Sequence, residues 1–375
     1  MKLKPLLLFG LAACAALVVL NDRSSAQTAG AGVAKDAEAD RIRVGFRIAP
    51  VPLSLRHKDP NLVGLGSYIA NAQTFCNDCH TNPPWADGHD PTVGQEPAKM
   101  NAAVYLAGGT SFGPFVSRDL TPDAHGLPAG LSFGQFRHVI KTGIDPDNAH
   151  PQISPLLQVD PWPYLRQMTS HDLAAVYEYL RAVPSLPSAA GIPDLPALQG
   201  GAEGQSESGV AKDDEADRIR VGFAIAPVPL ALRNKDPNLV GLGSYIVNAR
   251  IPCNDCHTNP PWEDGHDPTA GQSPAKVNAA AYLAGGTAFG PFVSRNLTPD
   301  EHGLPAGLTF AKFVHTIRTG IDPDNVHPQI SPLLQVMPWP YFRTMTDHDL
   351  AAIYEYLRAI PSVPSAPGTP DAASR

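Results

Sequence analysis

Cys76-Asn77-Asp78-Cys79-His80 and Cys253-Asn254-Asp255-Cys256-His257 decide how this chain is read. Both spell C-x-x-C-H, the spacing of covalent c-type haem attachment. Two thiols two residues apart can each form a thioether to one of the two vinyl groups of a single porphyrin. The adjacent histidine then offers a ring nitrogen to the iron. Two copies predict two covalently attached haem c groups. One sits on Cys76 and Cys79 with His80 as proximal ligand, the other on Cys253 and Cys256 with His257. A lone C-x-x-C is also compatible with half a zinc site or a thioredoxin-like redox pair. Zinc would need a second ligand pair at finger spacing, and there is no other cysteine pair. A redox pair would not require histidine after the second cysteine in both copies. The fifth cysteine, Cys14, lies in an N-terminal apolar run. Haem attachment would therefore consume the thiols that an oxidising compartment could otherwise pair.

The motif recurs because the sequence around it recurs. Gly32-Val33-Ala34-Lys35-Asp36 returns as Gly209-Val210-Ala211-Lys212-Asp213, His150 as His327 and Trp162 as Trp339. The offset is constant, 253 − 76 = 177 residues, so the copies align without a gap. That period is far too long for a solenoid and reads as duplicated domains. The expected division is residues 1–26 as a signal peptide, 32–186 as a first domain and 187–208 as a Pro/Gly/Ala/Ser-rich linker. A second domain follows over 209–363, with a disordered tail over 364–375. The leader reading rests on two lysines in Met1–Lys4, an apolar run over Pro5–Leu20 and small polar residues up to a cut after Ala26. Leu11-Ala12-Ala13-Cys14 also looks like a lipobox, although Ala15–Leu20 stays apolar beyond the cysteine. The run is short for a spanning helix. Each version puts the cysteine motifs outside the cytoplasm.

A formal charge of −8 over 375 residues gives no basic surface for nucleic acid. Forty prolines imply long loops and little regular sheet, so the expected class is mainly α, with a few helices per domain. Asp59-Pro60 and Asp236-Pro237 read as N-caps with proline at the first helical position, the first helix running to about Ala72. Ser132 with Gln135 forms a capping box ahead of the stripe Phe133, Phe136, Val139, Ile140. Thr169 with Asp172, and Thr346 with Asp349, open a last helix whose apolar face carries Leu173, Val176, Tyr177 and Leu180. Asp40, Arg41, Asp217 and Arg218 read as solvated charge pairs.

An opening helix, a C-x-x-C-H and a closing aromatic-rich helix resemble class I cytochrome c. The strings Tyr282-Leu283-Ala284-Gly285-Gly286, Ser294-Arg295-Asn296-Leu297-Thr298-Pro299-Asp300, Met337-Pro338-Trp339-Pro340 and Met345-Thr346-Asp347-His348-Asp349-Leu350 resemble the cytochrome subunits of bacterial membrane-bound dehydrogenases more narrowly. The likeness spans nearly all of both copies. It implies two tandem cytochrome c-like helical domains in the periplasm. It also implies electron transfer from a dehydrogenase subunit to a downstream acceptor, and membrane association through a partner or a lipid anchor. Members of that group usually carry three haem modules, and this chain has two.

The resemblance places a sixth iron ligand shortly before the last helix. Met337 holds that place in the second copy, where a thioether suits haem iron; packing beside Trp339 is the other reading of the same residue. Met345, just before the helix cap, reads as packing. In the first copy Gln158-Val159-Asp160-Pro161 stands where Gln335-Val336-Met337-Pro338 stands in the second. Asp160 therefore occupies the distal position of the first haem. Four arrangements are open there: five-coordinate iron, an oxygen ligand, Met168 reaching in, or His150. His150 and His327 also read as loop histidines bonded to backbone. His125/His302 and His171/His348 read as exposed, His138/His315 as packed or exposed on the middle helix, and His89/His266 as loop residues near a propionate. Two function classes follow: an electron carrier performing no bond chemistry, and a haem enzyme or ligand sensor, peroxidase-like, using an open first site.

Overall fold

The structure is a computed structural model that describes residues 37–148, 150–188, 215–325 and 327–365. The signal-peptide reading (1–26), Cys14, residues 189–208 of the expected linker and 366–375 of the expected tail lie outside the described residues. The fold is mainly α. In the first copy helix α1 covers 37–48, α2 Pro60–Tyr68, α3 Cys76–His80, α4 Phe133–Thr142, α5 Trp162–Leu165 and α6 Ser170–Ala182. The second copy repeats the series as α7 Glu215–Ile225, α8 Pro237–Tyr245, α9 Cys253–His257, α10 Phe310–Thr319, α11 Trp339–Phe342 and α12 Asp347–Ala359. Each copy adds one minimal antiparallel hairpin, β1 Ser111–Phe112 with β2 Phe115–Val116, and β3 Ala288–Phe289 with β4 Phe292–Val293.

Local chemistry sets most helix starts. The Asp59 and Asp236 carboxylates accept the backbone N–H of Asn61 and Asn238 at 2.8 Å, with proline in the first turn. Ser132 and Gln135 form the full capping box, and Gly143 ends α4 at φ 71°. Thr169 and Thr346 cap α6 and α12 through the N–H of Asp172 and Asp349. Helix α2 does not stop at Tyr68. It widens into a π-turn over Ile69–Gln73, and α8 does the same over Ile246–Arg250, which brings the chain round to the C-x-x-C-H helix.

Packing within a copy depends on backbone contact. A Cβ built on Gly66 would stand 1.9 Å from the Ala175 carbonyl oxygen, and one on Gly45 1.9 Å from that of Gly64. Helix α2 is thus clamped between α1 and α6 at separations that no larger residue permits. Met168 and Met345 are both 3% exposed and sit in the core, as the packing reading of Met345 expects. The second core does not stay within its own copy: Val44, Tyr68, Ala72 and Trp85 of the first copy belong to it.

What joins the copies corrects the sequence reading of Arg41 and Arg218. Both are fully buried. The Arg41 guanidinium donates to Asp349 at 2.6 and 3.0 Å and pairs with Glu215 at 2.8 Å. The Arg218 guanidinium donates to Asp172 at 2.9 Å and to Glu38 at 2.6 Å. Each partner belongs to the opposite copy. Tyr68 and Tyr245 add their hydroxyls to Asp349 and Asp172. The symmetry breaks at one position. Gln73 donates to Asp349 at 3.0 Å, whereas its counterpart Arg250 donates to Asp172 and also to the Gln73 side-chain oxygen at 2.7 Å. His171 and His348 are also not at the free surface: His171 is buried 3.8 Å from Glu38, and His348 bonds Glu215 at 3.0 Å. His125, His302, His138 and His315 are exposed. The spacing of each arginine from Glu38 or Glu215 matches a surface i,i+3 pattern, but a helix face covered by a second copy of itself is invisible to a single-copy reading.

Burial alone would raise the carboxyls of Asp172 and Asp349. The guanidiniums beside them outweigh it and hold both well below the ordinary range. Burial likewise raises Glu38, but the nearby His171 and the charge of Arg218 bring it from 4.5 to about 2. The sign follows from linkage. A depressed carboxyl stabilises the fold fully above its unfolded value and loses that contribution as pH falls toward the folded one. His348 is raised from 6.5, first by its bond to Glu215, so its contribution is complete below 6.5 and is lost as pH rises through the raised value. Stability against urea should therefore peak between about pH 4.5 and 6.5. Glu38→Gln should flatten the acid limb and His348→Gln the alkaline one. Asp172→Asn, which leaves Arg218 and Arg250 without their shared anion, should cost about 3–5 kcal/mol in the same titration; a loss below about 1 kcal/mol would match only an exposed pair.

Candidate functional site

Helices α3 and α9 are single turns, and each projects two thiols and an imidazole toward its copy's interior. The four cysteines are free. Burial pushes Cys79 and Cys253 up to about 12 and Cys256 up to about 11. They are protonated thiols, unlike the depressed thiolate of a redox C-x-x-C. Among the described residues no group of three His, Cys, Asp or Glu side chains converges as a bare-metal site.

The histidines are oriented by backbone. Nδ1 of His80 donates to the Arg118 carbonyl at 2.7 Å, and Nδ1 of His257 to the Arg295 carbonyl at 2.8 Å. A carbonyl only accepts, so Nδ1 carries the proton and Nε2 keeps its lone pair for a metal. Burial lowers both imidazoles and favours that neutral form. The accepting carbonyls are held in turn. The Arg118 guanidinium donates to Asp145 at 2.7 Å and Asp147 at 2.7 Å, and Arg295 to Asp322 at 2.6 Å and Asp324 at 2.8 Å. The Ser-Arg-Asn-Leu-Thr-Pro string is thus the support of His257. Its next residue closes the turn: Asn296 accepts the Thr298 N–H at 2.8 Å, and Asp119 that of Thr121 at 2.7 Å. The negative charge of Asp119 is felt at His80.

In the second copy Cys253, Cys256, His257 and Met337 line one cavity of about 360 Å³. Its walls are apolar, with Leu308, Phe313, Ile317, Leu350 and Ile353 among them, while Arg295, Asp322, Asn325 and His327 make a polar side. Two thiols, a neutral imidazole and a thioether around an apolar chamber with a polar edge fit a flat apolar macrocycle bearing acid groups. His327 shares this chamber with Met337, and its ring packs edge-on to Phe292 at 5.4 Å. Its counterpart His150 packs the same way on Phe115 at 5.5 Å. The backbone N–H groups of both histidines bond Asn side chains two residues earlier at 2.8 Å. His89 and His266 donate Nδ1 to the carbonyls of Pro97 and Pro274 at 2.8 Å.

In the first copy Asp160 faces the thiol pair: its charge helps to push Cys76 and Cys79 up. One carboxylate oxygen of Asp160 is buried without a hydrogen-bond partner, and burial raises the group to about 6. Met168 packs in the core and uses its carbonyl to accept from Lys141 at 2.8 Å.

Asn77, Asp78, Asn254 and Asp255 read from sequence as spacers, and the structure gives them a task. The Tyr164 hydroxyl, one turn after Asp160, donates to Asp255, and Asn254 donates to that hydroxyl at 2.9 Å. Tyr341 makes the same bonds to Asp78 and Asn77, the latter at 2.9 Å. Tyr164 stacks on Trp262 and Tyr341 on Trp85, with ring centroids 5.5 and 5.3 Å apart. Gln158 and Gln335, two residues before Asp160 and Met337, donate across the interface to the carbonyls of Thr269 and Thr92 at 3.0 Å. The loops bearing Asp160 and Met337 are therefore each braced on the other copy's motif. The repeated Asn-Asp between the cysteines, with Tyr at a matched position in both copies, is the one signal of this in the sequence.

No family model matches the chain. Over 142 residues it is 33% identical to the cytochrome c subunit of alcohol dehydrogenase (quinone) from Gluconacetobacter polyoxogenes and, equally, to that from Komagataeibacter europaeus. The matched stretch is 37% of this chain and 24% of each relative, so the chain spans about a quarter of the length of these relatives. Over 85 residues it is 38% identical to one of the nicotinate dehydrogenase subunits of Pseudomonas putida, covering 23% of this chain and 7% of that one.

The cross-braces predict unequal effects of one atom. Tyr341→Phe removes a hydroxyl that serves Asp78 and Asn77 together, and should cost about 1–3 kcal/mol for the buried polar groups left unpaired. Urea midpoints of Tyr341→Phe and an exposed control, Val93→Ala, would check this; equal midpoints would refute the brace.

Proposed function

We propose that this chain is a diheme c-type cytochrome that carries electrons between a dehydrogenase and a downstream acceptor, one haem on each of the repeats 32–186 and 209–363. The observation that carries the reading is the repeated arrangement of two thiols beside an imidazole whose Nδ1 is tied to a backbone carbonyl, leaving Nε2 for a metal. The likeness to cytochrome c subunits of a quinone alcohol dehydrogenase supports a dehydrogenase as partner. When bound, haem iron supplies one-electron chemistry by cycling between ferric and ferrous. The chain's own residues tether the porphyrins (Cys76, Cys79, Cys253, Cys256), offer proximal nitrogens (His80, His257) and keep water from the apolar chamber. On this reading Met337 is the distal ligand of the second haem, and the N-terminal sequence supports the periplasm as its place of work.

The two sites are not equivalent. A thioether favours ferrous iron and raises the potential. Asp160, with Asp119 nearby, favours ferric iron and lowers it. The first haem is the lower-potential one, and electrons run from it to the second. A second reading, a ligand-binding or peroxide-reducing first haem, is favoured by one observation, the unpartnered Asp160 oxygen beside Cys76 and Cys79.

The denatured polypeptide should carry the mass of two haems after acid–solvent extraction. Met337→Ala should lose the sulfur-to-iron charge-transfer band and the upper of two midpoint potentials; an unchanged spectrum would remove Met337 as ligand. Carbon monoxide should bind the reduced protein rapidly at one haem if the second reading holds, and at neither if both sites are closed carriers.

A further inference from the structure

The copies differ by a concerted set of side chains at one crossing. Where the first motif meets the second cavity, Phe75 precedes Cys76 directly and lines the chamber that holds Cys253, Cys256 and Met337. Asp78 of the same motif lines it too. The Phe75 ring lies edge-on to Phe342 at 5.9 Å and tilted to Tyr341 at 6.4 Å, both on α11 just after Met337. At the equivalent crossing the second copy supplies Pro252 for Phe75, and the first supplies Leu165 for Phe342. The aromatic pair therefore stands on the side that has Met337, and the proline–leucine pair on the side that has Asp160.

The backbone singles out the same residue. Phe75 has φ 40° and ψ 43°, in the left-handed region that bulky side chains avoid, whereas Pro252 sits at φ −77°. A left-handed phenylalanine persists only where its surroundings over-determine it, and such residues gather at functional sites. The contacts that hold it are those with α11.

We propose that Phe75 is a positioning residue of the second haem site, a side chain of the first haem-attachment segment that closes the second chamber and braces the loop bearing Met337. The inference rests on the haem reading above and adds a direction to it. The first motif builds part of the second site through Phe75, and at the reverse crossing the matching ring is missing. A single peptide bond joins Phe75, in the wall of the second chamber, to Cys76, whose thiol would tether the first porphyrin. With haem held at both motifs, Cys76 would tether the first and Phe75 would line the chamber of the second, so these adjacent residues would lie between the two one-electron centres.

The experiment is a spectroelectrochemical titration of full-length Phe75→Ala, with Phe75→Tyr as the conservative variant and whole-protein mass to count the haems. Expected is a downward shift of the higher midpoint potential alone in Phe75→Ala, because water entering the chamber favours ferric iron. The sulfur-to-iron band should weaken with it, and both should be restored in Phe75→Tyr. Two haems by mass with both potentials unchanged would overturn the inference and leave the haem reading standing. A shift of the lower potential alone would also overturn it, since Phe75 would then serve its own motif. A polypeptide without covalent haem in the unsubstituted protein would remove the haem reading and the inference together. Should Phe75→Ala attach only one haem, Phe342→Leu, which unmakes the same ring pair from α11, must lower the higher potential; an unchanged value there overturns the inference.

Discussion

Two buried carboxylates, Asp172 and Asp349, are what the rest of the molecule is arranged around. Each opens the last helix of its copy, where free N–H groups and the helix dipole already favour an anion. Each then accepts an arginine and a tyrosine from the opposite copy. Taking these charges out of water would be ruinous unpaired, and a fully paired cluster roughly breaks even against an apolar packing. The cluster is therefore better understood as a specifier than as a source of stability. It admits one relative placement of the copies, because a shift of one helical turn would strand the guanidiniums of Arg41, Arg218 and Arg250 and the carboxylates they meet. That placement brings Tyr164 to Asp255 and Tyr341 to Asp78, and with them each distal loop to the opposite motif.

This geometry changes what one copy is in the chain. In a free-standing copy the loop before the last helix would keep only its bonds within the copy, such as those of Lys141 to the Met168 carbonyl and Arg318 to the Met345 carbonyl. Here it is pinned at Gln158 or Gln335 and again at the tyrosine, in both cases by the other copy. Rigidity of a ligand-bearing loop matters because a potential depends on ligand distance and on water access as well as on ligand type. The second copy's distal loop has a third brace, the ion pair of Arg343 with Glu96 at 2.5 Å, where the first copy offers Arg166 and Ser273. Its glutamate is about half exposed, so the pair contributes little energy by itself.

Local chemistry was legible in the sequence; mutual burial was not. The caps at Asp59, Ser132, Thr169 and Thr346 depend on residues within one turn, and all form as their spacing demands. The repeat and the C-x-x-C-H motifs carry their own signal. Helices α1 and α7 escape a sequence reading because their polar residues, Glu38, Arg41, Glu215 and Arg218, occupy the face that the interface covers. A pattern that reads as amphipathic only when its partner is present has no apolar stripe to find. The same holds for His171 and His348, whose polar neighbours in sequence suggest water and whose partners in space are carboxylates on the first helix of the same copy. The π-turns after Tyr68 and Tyr245 also lack a sequence mark, since the role of Asn71 and Asn248 emerges only when they bond Tyr179 and Tyr356 across the core.

The exchange of methionine for aspartate between the copies is the place where packing and electrostatics disagree most. A carboxylate oxygen buried without a donor costs on the order of 1–3 kcal/mol, and among the described residues the Trp162 backbone N–H bonds the group while Asp145 adds like charge. As a structural residue Asp160 is poorly placed. Beside a ferric porphyrin, which carries a net positive charge at the iron, the same carboxylate has a counter-charge and its burial becomes reasonable. The cost that the polypeptide leaves uncompensated at Asp160 is thus itself an argument for a cation at the first motif, independent of the spacing of the cysteines.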